Sequence, residues 1–238
     1  MEDECFRSSG IRTLILSSSV ASIGGFAFWG CENLGYADLS AAHGLKSIEE
    51  YTFYSCKALK EVLLNDGLET IGEDCFEDCG LERVSIPGSV QYLDRSAFGG
   101  SALTQVRFLG CTVNELRCGP EPPPEHFSGN VNSSCQKSER GLVIGEWAFS
   151  DCKNLRQVVF EPGSAVTEIQ CKAFLRSGLE SFTAPPSLRK IDAVAFRECC
   201  DLEKFEVNEG IQEIGWFCLW RAGVTDLRLP PHVKLTRE

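Results

Sequence analysis

Ile23-Gly-Gly-Phe-Ala-Phe-Trp-Gly-Cys31 and Ile144-Gly-Glu-Trp-Ala-Phe-Ser-Asp-Cys152 are two copies of one phrase. An apolar residue opens it, a small residue precedes a Phe near its middle, and Cys often closes it. Further copies open at Ile48, Ile71, Leu93, Ile169, Ile191 and Ile214, and the aromatic recurs at Phe28, Phe53, Phe76, Phe98, Phe149, Phe174 and Phe196. The last and least regular copy offers either Phe217 or Leu219 for that place. The steps between openings are 25, 23, 22, 51, 25, 22 and 23 residues. Such a period means a solenoid, because a unit this short buries its apolar side only by stacking on its neighbours.

A complete unit runs from Leu81 as Leu-Glu-Arg-Val-Ser-Ile-Pro-Gly-Ser-Val-Gln-Tyr-Leu-Asp-Arg-Ser-Ala-Phe98. Leu81 to Ile86 places apolar residues first, fourth and sixth, its last three alternate as a half-buried strand should, and Pro87-Gly88 stops it and turns the chain. Val90 to Leu93 is a second short extended piece on the opposite wall. The Ala-Phe element is expected to close the coil as a helical turn with Phe as the inward wedge. Matching first strands are expected at Leu59–Leu64, Leu103–Phe108, Leu155–Phe160, Leu179–Ala184, Leu202–Val207 and Val224–Leu229. Asn65-Asp66-Gly67 and Asn208-Glu209-Gly210 serve as turns where Pro-Gly or Pro-Pro stands elsewhere.

This unit resembles the leucine-rich repeat family in its BspA-like (Treponema-type) class, marked by Leu-x-x-Ile-x-Ile-Pro followed by Ile-Gly-x-x-Ala-Phe-x-x-Cys. The resemblance covers the chain apart from residues 110–141. It implies a leucine-rich repeat solenoid, mainly β with short helical turns, forming a curved right-handed superhelix with a parallel concave sheet. It also implies kinship with bacterial and protozoan proteins that are often cell-surface adhesins or binders. The expected organisation is repeats over 1–109, the first partial; an irregular Pro/Cys-containing insert over 110–141; and repeats over 142–238, the last partial. Cys5 to Ile11 is already in mid-repeat register and Leu229 to Val233 opens a further unit, so a fragment of a longer array is expected. Any signal peptide, anchor or catalytic domain could then lie in the missing part.

Hydrophobic content of 43% and charged content of 24% are those of an ordinary folded chain. No stretch approaches the roughly 18 uninterrupted apolar residues of a membrane span, so membrane insertion is not expected. The net charge is −11, most of it in residues 1–109. A negative surface opposes phosphate backbones and disfavours nucleic acid as a partner. The densest acidic run, Glu69, Glu73, Asp74, Glu77, Asp78 and Glu82, lacks the spacing of a calcium loop and is expected to be a solvated face.

Register explains most of the 13 cysteines. Cys31, Cys56, Cys79, Cys152 and Cys199 share the ninth place, and Cys5, Cys75 and Cys218 the small-residue place near Phe. There a small, readily buried side chain packs one coil on the next. Cys111, Cys118 and Cys135 fall in the insert with Pro120-Glu121-Pro122-Pro123-Pro124, His126 and the acceptor sequence Asn132-Ser133-Ser134. Two of the three could form a disulfide, and Asn132 could carry a glycan in a secreted chain. Free thiols in a reduced loop are the plainer alternative, which leaves the compartment open.

The second, third and fifth residues of each first strand should point outward. The third-place column reads Thr13, Tyr36, Glu61, Arg83, Gln105, Gln157, Ser181, Lys204, Asp226, and the fifth-place column includes Arg107 and Arg228. Varied residues on a monotonous frame suit a recognition face, with Tyr36, Glu61, Arg83, Arg107, Arg156, Lys204 and Arg228 as candidate contacts for a protein or glycan. The histidines His43, His126 and His232 lie in no nucleophile–base or metal motif, and no phosphate loop or nucleophile elbow occurs. The expected function is therefore noncatalytic recognition or adhesion, with no cofactor and no metal. The alternative is an intracellular scaffold or targeting arm of a larger regulatory protein. A non-reducing peptide map over residues 110–141 separates the two. A disulfide or an Asn132 glycan is expected for surface recognition, and three free thiols with a bare Asn132 for the intracellular arm.

Overall fold

The computed structural model describes residues 1–110 and 141–236. These residues wind as a parallel β-solenoid of about eight turns, with no helix among them. Along the first wall lie β1 (Thr13–Ile15), β2 (Tyr36–Asp38), β4 (Glu61–Leu63), β6 (Arg83–Ile86), β8 (Gln105–Phe108), β10 (Gln157–Phe160), β12 (Ser181–Thr183) and β14 (Lys204–Glu206). Along the second lie β3 (Ser47–Ile48), β5 (Thr70–Ile71), β7 (Tyr92–Leu93), β9 (Leu142–Ile144), β11 (Val166–Ile169), β13 (Lys190–Ile191), β15 (Glu213–Gly215) and β16 (Lys234–Thr236). Every ladder is parallel and pairs equivalent places of successive coils, as in Tyr36↔Glu61 and Ile71↔Leu93.

The two walls differ in continuity. The second wall is one eight-stranded sheet, whereas the first is divided into ladders β1-β2-β4, β6-β8-β10 and β12-β14. The expected strand over Val224–Leu229 forms no ladder, and Leu227, its inward place, is exposed. Beyond it the chain turns at Pro230, whose carbonyl accepts from the Val233 amide at 3.2 Å, and joins the second wall as β16.

The third side is built by the phrase itself. In place of the expected helical turn stands an open turn with left-handed residues at the fourth and eighth places. Phe26 (φ 58) and Gly30 (φ 65), Tyr51 (φ 54) and Ser55 (φ 57), and Val194 (φ 55) and Glu198 (φ 60) are examples. Left-handed backbone is costly for residues with a Cβ, and here it lets the chain donate sideways. The amides of Phe26, Phe28 and Gly30 donate to the Glu50, Thr52 and Tyr54 carbonyls at 3.1, 2.9 and 2.9 Å. Those of Tyr51, Phe53 and Ser55 repeat the pattern one coil on, toward Glu73, Cys75 and Glu77. A helix would direct these amides along its own axis and lose the inter-coil ladder.

The sixth-place rings form the core. Phe6, Phe28, Phe53, Phe76, Phe98, Phe149, Phe174 and Phe196 stack in sequence, with centroids 5.1–5.5 Å apart and planes within 13°. From Phe28 onward these rings are fully buried. In the last coil Leu219 takes the wedge register and packs on the core, while Phe217 is 44% exposed and stacks on Trp216. Cys218, between them, is buried in the small-residue place.

The long step does not interrupt the stack. β7 pairs with β9 and β8 with β10, and the Phe98 ring lies on Phe149 at 5.5 Å. Gly110 and Gly141 stand where the chain leaves and rejoins this corner; a Cβ on either would come within 2.1 Å of the Pro162 or Ala165 carbonyl oxygen. The turns of the next coil thus crowd both glycines. Phe149→Ala is expected to cost about 3–5 kcal/mol, the range for a fully buried Phe, read as a lower denaturation midpoint; an unchanged melting curve would contradict the inward wedge.

Candidate functional site

The first wall places its residues as the alternation requires. Ala37, Val62, Val84, Val106, Phe182 and Phe205 are buried at the fourth place. Their neighbours at the third and fifth places face outward. Tyr36 and Glu61 are register partners on β2 and β4. The Tyr36 hydroxyl donates to Asp38 Oδ2 at 3.4 Å, and its pKa is raised by desolvation and by the charges of Asp38 and Glu61. Asp38 itself is held below the usual carboxylate range, chiefly by the Ser40 hydroxyl, which donates to it at 2.6 Å. Arg83 lies on β6 beside Gln105 and, like Glu61 and Arg228, makes no ion pair among the described residues.

Arg107, Arg156 and Lys204 are engaged within the chain. Arg107 on β8 donates through Nε and Nη2 to Glu161 Oε1. Arg156 stands at the second place, at the margin of the face, where it bridges three coils: Nη1 reaches Asp201 at 2.8 Å and the Gly178 carbonyl at 2.9 Å, and Nε reaches Glu180 at 3.7 Å. Lys204 lies 3.1 Å from Glu206, which it holds below its ordinary pKa. The wall therefore brings Tyr36 together with Glu61 and leaves Arg83 and Arg107 on neighbouring strands.

Lys204 and Arg228 meet at a feature absent from the sequence reading. The backbone ladder ends where the Ala184 amide donates to the Glu206 carbonyl at 2.8 Å. Beyond β14 the wall opens into a groove of about 640 Å³ lined by Thr183, Lys204, Glu206, Asn208, Asp226 and Arg228 among others. It lies where Val224–Leu229 forms no strand, and that segment still carries the apolar places of its predecessors.

The ninth place holds a second regular arrangement. The thiols of Cys31, Cys56, Cys79, Cys152 and Cys199 donate to the carbonyls of Phe6, Phe28, Phe53, Phe98 and Phe174, the wedge residues of the preceding coils, at 3.0–3.2 Å. Each thiol thus ties a coil to the wedge below it. Cys75 and Cys218 are buried as expected for the small-residue place, whereas Cys5 is exposed at the first coil. Every described cysteine is free. Cys111, Cys118, Cys135, His126 and Asn132 lie outside the described residues.

A family model for the BspA type leucine rich repeat region matches six copies over residues 1–106 and 125–237. The chain belongs to the BspA-type leucine-rich repeat family. That family is one of repeat scaffolds for interaction, not of enzymes. Among solved structures, a leucine-rich repeat protein from Bacteroides ovatus matches at TM-score 0.55 and 18% identity, covering 90% of this chain and 57% of its own. The T. pallidum leucine rich repeat protein matches at TM-score 0.55 and 22% identity, covering 85% of this chain and 70% of its own. These likenesses show the fold, and this chain spans little more than half the length of the B. ovatus protein. No curated protein matches in sequence. Among the described residues no helix is long and apolar enough to cross a membrane.

Burial sets the chemistry of the thiol column. It pushes Cys152 and Cys218 up to about 12 and Cys199 to about 11, and Cys75 and Cys79 well above their ordinary value of 9.0. Such thiols stay protonated and unreactive at neutral pH. Above pH 9 the unfolded chain releases protons that the folded chain retains, so the stability is full below that pH and falls toward pH 12. A urea midpoint lower at pH 10.5 than at pH 8 is expected, with iodoacetamide labelling Cys5 and Cys200 before the buried set; a flat midpoint would contradict the assignment.

Proposed function

We propose that this chain is a noncatalytic recognition module that binds a protein ligand across the outward columns of its first wall. The observation that carries the reading is the contrast on β2 to β14 between closed inward places and outward places that change from coil to coil. The inward residues are confined to a few apolar types by the stack. The outward residues are free of that constraint and supply Tyr, Arg, Glu and Lys in succession, with Tyr and Arg enriched at binding hot spots. An extended, shallow surface of this kind matches a macromolecular partner better than a small molecule, which needs enclosure.

Tyr36, Glu61, Arg83 and Arg107 form the centre of the proposed face, and Lys204 and Arg228 its far end at the open groove. Arg156 contributes at the margin, where a ligand carboxylate would compete with Asp201 and Glu180. Family membership supports an interaction role, and adhesion at a cell surface is the setting we favour. Binding to arrayed surface proteins and glycans, compared between the native chain and the Tyr36→Ala/Arg83→Ala/Arg107→Ala variant, tests the reading. A loss of at least tenfold with an unchanged melting curve is expected for a protein ligand. Undiminished binding would remove the first wall as the recognition face, and selective glycan capture would replace protein as the ligand class.

A further inference from the structure

The turn side of the solenoid carries its own outward columns, at the fourth and seventh places of the phrase. Three indoles there are covered by cations, each by one from an adjoining coil and Trp220 also by Arg221 of its own coil. The Arg7 guanidinium lies 3.7 Å from the Trp29 ring centre, Lys172 Nζ 4.2 Å from Trp147, and the Arg197 and Arg221 guanidinium groups each 4.3 Å from Trp220. Cation and ring attract through the ring quadrupole, so this chain repeatedly pairs an aromatic with a base along the ridge.

One aromatic group on the ridge has carboxylates beside it instead. Tyr51 stacks on Phe26 at 4.8 Å, Tyr54 meets Trp29 edge-on at 5.8 Å, and the two tyrosines lie 5.6 Å apart. The next coil presents Asp74 at the fourth place, from which Lys172 covers Trp147, with Glu77 and Asp78 at the seventh and eighth. None of these three forms an ion pair among the described residues, and Tyr51 hydrogen-bonds Asp74. The acidic run is not the fully solvated face expected from sequence, because Glu77 is half-buried beside Asp74.

We propose that Tyr51, Tyr54, Asp74 and Glu77 form a binding site for the guanidinium or ammonium groups of a basic segment of a protein partner. The first cation would lie against the tyrosine rings as Arg7 lies against Trp29, with Asp74 and Glu77 as counter-charges. Asp78 and Glu73 extend the negative charge beyond what one cation neutralises, which favours a segment bearing several. This surface is separate from the first wall, and the inference does not rest on recognition there.

The site carries a proton linkage. Glu77 is pushed up to about 8, first by desolvation, then by its hydrogen bond with Asp74 and the charges of Asp74 and Asp78, with Arg95 pulling the other way. Tyr51, at about 12, and Tyr54, raised by burial and by Glu77, stay protonated in this range. A bound cation favours ionised Glu77. Below pH 8 binding therefore releases a proton, and affinity for a permanently charged guanidinium rises with pH and levels off above it.

Titration of the full chain with a hexa-arginine peptide from pH 6.5 to 9, followed by tryptophan fluorescence and calorimetry, tests the proposal. Affinity is expected to rise with pH in the native chain and to lose that rise in Glu77→Gln. Tyr51→Ser/Tyr54→Ser, which keeps the net charge and installs residues already used at these places by Ser96 and Ser150, is expected to bind at least tenfold more weakly. Glu209→Gln, remote from the ridge, is expected to bind as the native chain does. Equal binding by the tyrosine variant, equal losses in Glu209→Gln and Glu77→Gln, or a pH-independent native affinity would each overturn the site and leave only attraction to net charge.

Discussion

Phenylalanine rings stacked face upon face at about 5.1–5.5 Å set the rise of this solenoid, and the rest of the structure accommodates that rise. Offset stacking is a preferred arrangement for buried aromatics, and its spacing is close to the inter-strand distance of a sheet. Rings, ladders and turn amides therefore advance in step. The left-handed residues at the fourth and eighth places keep the turn open enough for up to three amides per coil to reach the next. Wherever Cys holds the ninth place and its thiol reaches the preceding wedge carbonyl, the same ring is held through its backbone as well.

Length variation is confined to places where this advance is unaffected. From the last apolar place of the first wall to the opening of the phrase, the chain advances seven residues from Leu64 to Ile71 and from Ile86 to Leu93. The advance is nine from Leu39 to Ile48 and from Phe160 to Ile169, and 36 from Phe108 to Ile144. These differences fall at one corner; a further single residue varies between the ninth place and the next first strand, as Cys31 to Leu34 against Cys79 to Leu81 shows, while the phrase never changes length. The phrase and its wedge ring lie outside that corner, and across the long step Phe98 still lies on Phe149.

The repetition that made the coil legible in sequence also marks what was not legible. Phe28 to Phe196 announce their burial because the same residue returns at the same place, and the ninth-place cysteines do so for the same reason. The turn conformation is different: Phe26, Tyr51, Asp74, Trp147 and Val194 share a left-handed backbone but no side-chain chemistry, so composition gives no sign of it. Phe217 looks like a wedge by residue type, yet register assigns the inward place to Leu219, and counting from Ile214 decides the matter. The broken first wall has no signal in Val224–Leu229, whose alternation matches that of paired strands. The recognition face was legible as a set of columns, but the ion pairs that occupy Arg107 and Arg156 depend on partners one or two coils away, and the pair that occupies Lys204 lies along its own strand at Glu206.

Native-state amide hydrogen exchange across the long step tests the central claim, that one unbroken stack runs through the molecule. The amides of Ser96, Phe98 and Gly100 donate to the Glu146, Ala148 and Ser150 carbonyls at 2.8–2.9 Å. Protection at these amides equal to that of Phe76 and Phe149 is the result the account predicts, because the seam is then an ordinary coil-to-coil contact. Fast exchange at those three amides, with protected blocks on either side opening at different free energies, would show two stacks in place of one and contradict it.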